Sequence, residues 1–173
     1  MEVFIRRMIR AAKLDAQLYE EVEADKSAMG QALGVVVLSG VAAGIGTIGR
    51  YGGYGHILEG LIAALIGWFI WAILAYWLGT RILPEPQTSS NMGELLRTVG
   101  FSSSPGLLRV LGVLPGVTDF IIIVTSVWML ASMVVAIRQA LDYESTLRAL
   151  SVCAIGWIIQ FLILILTIRA AAM

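Results

Sequence analysis

The stretch ILEGLIAALIGWFIWAILAYWLGT, residues 57–80, holds one charged side chain, that of Glu59, in 24 positions. An α-helix rises about 1.5 Å per residue, so about 20 apolar residues cross a hydrocarbon core about 30 Å thick. Barrel strands alternate polar and apolar side chains over about 10 residues, and this stretch does not alternate. It therefore predicts a helix that spans a membrane.

Four more apolar runs have a similar length, at residues 28–48, 95–116, 118–137 and 151–168. The predicted fold class is an all-α membrane protein, because backbone polar groups in lipid need partners within the chain. We expect a bundle of five transmembrane helices, the third broken or kinked near Pro105, with an N-terminal amphipathic interfacial helix. Residues 1–27 would form a cytoplasmic amphipathic and acidic segment, and residues 28–173 the membrane domain.

Composition agrees with a membrane protein. Of 173 residues, 58% are hydrophobic and 14% charged, whereas soluble domains carry about 25% charged residues. The formal net charge of +0 argues against a nucleic-acid partner. The single cysteine, Cys153, excludes an internal disulfide and a Cys-rich metal site. No cleavable signal peptide is expected, because a polar-rich segment precedes the first apolar run.

Basic residues are distributed unequally between the two sides of the predicted bundle. Arg50 and Arg169 flank the spans on one side. The other side holds the larger set: Arg6, Arg7, Arg10, Lys13, Lys26, Arg81, Arg97, Arg138 and Arg148. Cytoplasmic segments carry the excess of Lys and Arg. The pattern predicts a multi-pass protein of the cell (inner or plasma) membrane, with its N-terminus in the cytoplasm and its C-terminus on the opposite side.

The first residues show a helical amphipathic pattern. At 100° per residue, one face is apolar and comprises Phe4, Ile5, Met8, Ile9, Ala12, Ala16 and Tyr19. The opposite face is basic and comprises Arg6, Arg7, Arg10 and Lys13. This pattern predicts a helix in the headgroup layer, with the basic residues directed to anionic lipid. The alternative is a helix packed on the cytoplasmic ends of the spans.

An acidic stretch follows. It contains Asp15, Glu20, Glu21, Glu23 and Asp25. Asp15, Glu20, Glu21 and Asp25 are candidates for binding a basic partner, and the alternative is a solvated helix face. No metal site is predicted, because no glycine provides the tight loop that gathers carboxylates around a cation.

Residues 44–49, GIGTIG, match the dinucleotide-binding pattern G-x-G-x-x-G. That pattern requires a preceding strand and a following helix, and here it ends an apolar run. Close helix packing explains the glycines better, because small residues at a spacing of four let helices approach in lipid. We expect Gly40, Gly44 and Gly46 to pack against another copy or another membrane protein.

The third run is interrupted by polar residues. Asn91 and Glu94 resemble a capping box, so a helix should begin near Met92. Ser102, Ser103, Ser104 and Pro105 then predict the start of a second helix at membrane depth, with its hydroxyls directed into the bundle. The alternative is a simple proline kink whose serines bond back to the previous turn.

Arg109 lies about one turn beyond this break. A charge in the bilayer is costly and needs a partner. Asp119 is the nearest acid on the same side, and the turn at Pro115 could bring the two together. We predict an ion pair between Arg109 and Asp119.

Three short motifs resemble the Yip membrane domain, named for proteins that interact with Ypt/Rab GTPases, and in particular its prokaryotic branch. They are the acidic stretch LDAQLYEEVEAD at residues 14–25, GFSSSP at residues 100–105 and AIRQAL at residues 136–141. Their order across five predicted spans carries the likeness. The second motif is similar to the glycine-aromatic-x-x-x-proline element of the family.

The resemblance implies a role in binding membrane partners. Eukaryotic members bind prenylated Rab proteins in the Golgi and endoplasmic reticulum. This chain lacks their long cytosolic N-terminal region and its Asp-Leu-Tyr-Gly-Pro-like element, so a Rab-type GTPase is not expected as a partner. Only the acidic stretch would carry over as a partner surface.

The sequence shows no catalytic constellation, since His56 is the only histidine and no paired carboxylates lie within a span. We expect a non-enzyme, a structural or adaptor subunit that packs with itself or another membrane protein and contacts lipid of the cytoplasmic leaflet. A small transporter or channel with its site at the broken third helix is the alternative. No cofactor is predicted. Bound lipid is expected, and a pigment held by the Trp-rich second span is an open possibility.

Overall fold

The computed structural model describes the backbone of residues 1–51 and 55–171 and, within these, the side chains of residues 1–48, 50, 55, 57–162 and 169. This part of the chain is helical apart from short turns and contains no strand. Its α-helices are α1 Glu2–Ala12, α2 Ala16–Ala24, α3 Met29–Tyr51, α4 Gly55–Trp77, α5 Met92–Ser102, α6 Thr118–Ala140 and α7 Thr146–Ala171. A 3-10 turn, Lys26–Ala28, leads into α3, a π-helical turn, Leu78–Ile82, ends α4, and a 3-10 helix, Ser104–Val113, follows α5.

Three described helical segments are long and apolar enough to cross a membrane: Lys26–Ile48, Ile57–Ile82 and Thr118–Ala140. They correspond to the first, second and fourth predicted spans and make this a multi-pass membrane protein. The described apolar part of α7, Thr146–Leu162, is shorter, and the third predicted span is not a single α-helix. The count of five spanning helices is therefore not confirmed.

The N-terminal segment folds as two helices, and the prediction of one continuous amphipathic helix is wrong. α1 ends at Ala12, and Leu14 has a φ of 62°, a left-handed conformation that interrupts a right-handed helix. The Asp15 carboxylate then accepts a hydrogen bond from the Gln17 N–H at 3.1 Å and caps α2. The break divides the predicted apolar face, because Tyr19 belongs to the second helix.

A buried core joins α1 and α2 to the bundle. Its members come from five α-helices and the turn before α3: Ala11, Leu18, Tyr19, Val22, Ala28, Ala32, Val35, Phe101 and Ala136. The Tyr19 hydroxyl shares a hydrogen bond with Ser132 Oγ at 2.6 Å, and the Trp128 indole N–H donates to the Ala12 carbonyl at 2.7 Å. Because Trp128 lies near the middle of α6, α1 ends alongside that helix rather than on its end.

The third predicted span consists of two helical pieces. The capping box is confirmed, since the Asn91 side chain accepts from the Glu94 N–H at 3.1 Å and the Glu94 carboxylate accepts from the Asn91 N–H at 2.8 Å. α5 ends at Ser102, and the second piece has Pro105 in its first turn, where a missing N–H is tolerated. The change of helix lies where the sequence indicated, but the second piece is a 3-10 helix rather than an α-helix.

α5 and the 3-10 helix run parallel to α3. We call the end of the bundle where α3 begins the proximal end and the end where α3 finishes the distal end. Toward the proximal end, a Cβ atom placed on Gly100 would lie 2.8 Å from the Ala32 Cβ. Toward the distal end, a Cβ on Gly112 would lie 2.9 Å from the Gly46 carbonyl oxygen. The two chain segments therefore stay in contact along most of α3.

Glycines let two segments approach the backbone of α3. A Cβ on Gly46 would lie 2.0 Å from the Arg109 carbonyl oxygen. A Cβ on Gly40 would lie 3.0 Å from the Gly60 carbonyl oxygen, and one on Gly60 would lie 3.1 Å from the Gly44 nitrogen. Close packing at Gly40, Gly44 and Gly46 therefore occurs as predicted, but within the chain, and the expectation that another protein covers these positions is wrong.

A second buried core lies at the proximal end between α4, α5, α6 and α7. Its members are Ala72, Ala75, Leu78, Leu95, Val134, Ile137, Ala140, Leu141, Tyr143, Ala149, Val152 and Cys153. The Tyr143 hydroxyl donates to the Leu83 carbonyl at 2.8 Å and the Gly79 carbonyl at 3.1 Å, and burial raises the pKa of Tyr143 to about 12. The turn between α6 and α7 is thus fixed to the end of α4.

The close contact at Gly46 gives a test of the packing. We expect Gly46→Ala to lower the stability of the folded protein by about 1–3 kcal/mol, the usual cost of overpacking a tight site. The new Cβ would force the 3-10 helix away from α3, since it would otherwise lie 2.0 Å from a backbone oxygen. The midpoint of unfolding by sodium dodecyl sulfate in mixed micelles measures the change.

Gly67→Ala is the matched control. A Cβ on Gly67 meets no atom within 4 Å, so this substitution should be neutral or stabilise α4 by its better helix propensity. Equal unfolding midpoints for the two variants would contradict the close approach of the 3-10 helix to α3.

Candidate functional site

Two arginines of α1 are bound by carboxylates of the same chain. Arg7 is only 8% exposed and donates to Glu21 Oε1 and Asp25 Oδ2, each at 2.9 Å, and to Gln31 Oε1 at 3.1 Å. Arg10 donates to Asp15 Oδ2 at 2.7 Å and Glu21 Oε2 at 2.6 Å. The hydrogen bond from Arg7, supported by one from Arg10, holds the pKa of Glu21 below its ordinary value.

These ion pairs correct two predictions. Arg7 does not face lipid, and Arg10 directs its guanidinium to carboxylates of α2 and its cap. Asp15, Glu21 and Asp25 each form an ion pair with one or both of these arginines, so their charge is largely compensated within the chain. The sequence pattern missed this pairing because the turn at Leu14 folds α2 back toward the basic face of α1.

The outer surface of α1 has a different composition. Ile5 and Ile9 are 46% and 51% exposed, and Arg6 and Lys13 are also exposed. The inner surface of the same helix packs on the bundle through Phe4 and Met8. α1 therefore packs on the spans, alongside α6 rather than on their ends, and presents apolar and basic side chains on its outer surface.

A second group of carboxylates lies near Arg97 at the proximal end. Burial raises the pKa of Glu23 to about 7, and the negative charges of Glu94, Asp142 and Glu20 act in the same direction. The Arg97 guanidinium opposes this shift but donates its hydrogen bonds to the backbone carbonyls of residues 22 and 23. We call Glu20, Glu23, Glu94 and Asp142 the proximal acidic patch. Of the four predicted partner-binding acids, Glu20 alone belongs to it, and it accepts a hydrogen bond from the Gln139 amide at 2.8 Å.

The three serines before Pro105 do not act together. Ser102 Oγ donates to the Val99 carbonyl and Ser104 Oγ to the Phe101 carbonyl, each at 2.7 Å. Such back-bonding satisfies the hydroxyls locally, as expected for the proline-kink alternative. Only Ser103 lines an internal cavity, so the prediction of three hydroxyls directed to a common site is wrong for the other two.

The predicted ion pair between Arg109 and Asp119 is wrong. Asp119 pairs with Arg50 of α3. Arg109 Nε donates to Thr125 Oγ1 at 3.2 Å, and Nη2 donates to Ser126 Oγ at 3.0 Å. The prediction took Asp119 as the nearest acid on the same side, but Arg50 of α3 binds that carboxylate. Arg109 instead reaches Thr125 and Ser126, which lie six and seven residues farther along α6.

Arg109 and Ser103 line a cavity of about 550 Å³. The cavity lies between α3, α4, α6, α7 and the chain around the break, and most of its wall is apolar. Its other polar side chains include Ser39, Ser126 and Gln160. Ser126 was missed in the sequence, although Thr125 and Ser126 are adjacent polar residues in an otherwise apolar run.

Chemical groups that would support catalysis are sparse in the described part of the chain. No group of three or more His, Cys, Asp and Glu side chains that could hold a metal ion occurs there. Cys153 is buried, and the side chain of His56 lies outside the described residues. The structure thus defines a helical multi-pass membrane protein with a docked N-terminal helix pair and a mostly apolar cavity that a few polar side chains line.

Comparison with known families identifies the class more closely. The sequence model of the Yip1 domain matches residues 16–168, which is most of the chain. The protein belongs to the Yip1 family, and the resemblance inferred from the three short motifs is confirmed. Searches of curated proteins and of solved structures found no match.

The ion pairs of Arg7 predict how α1 is held. We expect Arg7→Ala to weaken the docking of α1 by about 1–2 kcal/mol, because it removes hydrogen bonds to two carboxylates and one amide. Hydrogen–deuterium exchange of the amides in Glu2–Ala12 should become several-fold faster while exchange in α6 stays unchanged. Arg6→Ala removes the same charge from an exposed position and is the control. Identical exchange of α1 in the two variants would show that the ion pairs do not hold the helix.

Proposed function

We propose that this protein is a non-catalytic membrane adaptor that crosses the bilayer five times. The third crossing would combine α5 with the 3-10 helix. Eleven α-helical residues at about 1.5 Å and ten 3-10 residues at about 2.0 Å give about 37 Å, which exceeds a hydrocarbon core of about 30 Å. α7 has 26 residues, which correspond to about 39 Å. Both α5 together with the 3-10 helix, and α7, are therefore long enough to cross the bilayer. Over the described residues, however, neither is a single apolar α-helix of spanning length.

The charge distribution supports an orientation for this bundle. The proximal end carries the basic N-terminal segment and the connectors with Arg81 and Arg148, and the positive-inside rule assigns such an end to the cytoplasm. The odd number of crossings then leaves the C-terminus on the opposite side of the cell membrane.

The lipid contact rests on the position of α1. The inner side of α1 packs on the bundle through Phe4 and Met8. The exposed Ile5 and Ile9 lie on the other side of the helix and face outward from the bundle. An amphipathic helix with apolar and basic side chains on its outer surface suits the boundary between headgroups and acyl chains. This observation carries the proposal that α1 rests in the cytoplasmic leaflet.

The adaptor role rests on the proximal acidic patch. Arg7 and Arg10 bind Asp15, Glu21 and Asp25, whereas the four acids of this patch form none of the ion pairs found among the described residues. Neighbouring carboxylates that raise the pKa of Glu23 favour a cation that would relieve their repulsion. The proposed partner is a basic segment of another membrane protein or of a second copy.

Site-specific photo-crosslinking in native membranes tests both parts. A photoreactive residue in place of Ile9 should give lipid adducts, because that position would lie in the leaflet. The same residue in place of Asp142, which is exposed, should give a protein adduct of one defined mass. Glu20→Gln together with Glu23→Gln should abolish that protein adduct, since the partner would be held by charge.

Gln17 is the control position, because it is exposed on α2 and lies outside both surfaces. Lipid adducts as rare at position 9 as at position 17 would contradict the leaflet contact. A protein adduct at position 142 that survives the glutamine substitutions, or no protein adduct there, would contradict the adaptor role.

A small transporter or channel is the second candidate. The observation in its favour is the cavity, because Ser103 at the helix break and Arg109 both line it. Pores and transporter sites use such breaks and charges to select solutes. Anion flux into liposomes containing the purified protein, lost in Arg109→Ala, would support this function over the adaptor role.

A further inference from the structure

The cavity beside Arg109 is polar toward the distal end and apolar toward the proximal end. Arg109, Ser126 and Gln160 line its distal part. Trp71 and Met133, on the proximal halves of α4 and α6, line its proximal part. A volume of about 550 Å³ lies within the range of ligand sites, which is about 300–1,000 Å³. The arrangement matches a ligand with one polar end and one apolar end.

The cavity opens laterally, on the side of the bundle where α7 lies. Trp157 and Phe161 line it and are nevertheless 55% and 62% exposed, so they form its rim on the outer surface of the bundle. In a membrane that surface contacts acyl chains. A molecule dissolved in the bilayer could therefore enter without crossing the polar ends of the bundle.

The charge of Arg109 is not balanced within the described part of the chain. Its two hydrogen-bond acceptors are the hydroxyls of Thr125 and Ser126, and no carboxylate there forms an ion pair with it. The Thr125 hydroxyl already donates to the Ile121 carbonyl at 2.7 Å. A guanidinium at membrane depth is costly unless an anion or another acceptor compensates it. Arginine binds phosphate and carboxylate oxygens through its fork of N–H donors.

The depth of Arg109 fits a lipid of the distal leaflet. Thr125 follows the start of α6 at Thr118 by seven residues, or about 10 Å. An acidic head group that dips to this level meets the guanidinium, while its chains extend along the apolar proximal part of the cavity.

We propose that this cavity binds an anionic lipid, with its acidic head group on Arg109 and an acyl chain against Trp71 and Met133. The inference is independent of the adaptor role, because it concerns a different surface and a different leaflet.

Native mass spectrometry of the full-length protein tests this inference. The protein is purified, stripped of lipid and incubated with equal amounts of phosphatidylglycerol and phosphatidylcholine. We expect one phosphatidylglycerol to be retained in preference to phosphatidylcholine. Arg109→Gln should lower this retention about tenfold, a change that corresponds to the loss of one charge-assisted contact.

Two further variants separate the site from general effects. Arg81→Gln removes an exposed arginine at the proximal end of α4 and should leave retention unchanged. Gly67 lines the cavity, and a Cβ atom on it would meet no atom within 4 Å, so Gly67→Leu should fill the space and abolish retention while Arg109 remains. This variant keeps the inference testable even where Arg109→Gln fails to fold.

Three results would overturn the inference. One is equal retention of the two lipids by the unmodified protein. Another is retention of phosphatidylglycerol by Gly67→Leu at the unmodified level. The third is displacement of the lipid by inorganic phosphate at millimolar concentration, which would identify the site as one for a free anion instead.

Discussion

The backbone contact between α3 and the 3-10 helix Ser104–Val113 is the constraint on which the rest of the bundle depends. Gly46 allows the Arg109 carbonyl to approach so closely that even a methyl group would not fit between the two segments. The contact fixes the backbone of residue 109 against α3, and its side chain then extends to hydroxyls of α6. The same contact positions the break at Ser103 and closes one wall of the cavity. Both the proposed lipid site and the alternative solute path depend on that geometry.

The N-terminal helix pair depends on electrostatics in a comparable way. Arg7 and Arg10 bind the acids of α2 and its caps, so that positive and negative stretches adjacent in sequence cancel one another in the fold. What remains on the surface is the outer side of α1, with Ile5 and Ile9, and the proximal acidic patch. These are the two surfaces to which the proposed function assigns lipid and a protein partner.

Sequence patterns predicted most of the helices but little of the pairing between them. The run at residues 57–80 and the capping box at Asn91 depend on composition and local spacing, and both were interpreted correctly. The Arg109–Asp119 prediction was wrong because Asp119 pairs with Arg50 of α3, while Arg109 reaches hydroxyls farther along α6. The prediction that Arg7 faces lipid was wrong because the left-handed conformation of Leu14 reverses the direction of the chain. In both cases a contact with another helix determined the partner of the arginine, and a pattern within one stretch of sequence could not predict that contact.

Membership of the Yip1 family and three apolar helices establish a multi-pass membrane protein. The proposed topology depends on whether α5 and the 3-10 helix together cross the membrane. The most direct test places single cysteines at Gln87 and Leu114, which flank α5 and the 3-10 helix, in a Cys153→Ala background. A membrane-impermeant maleimide should label position 114 in intact cells and position 87 only in inverted vesicles. Labelling of both positions from the same side would show that this segment does not cross the membrane.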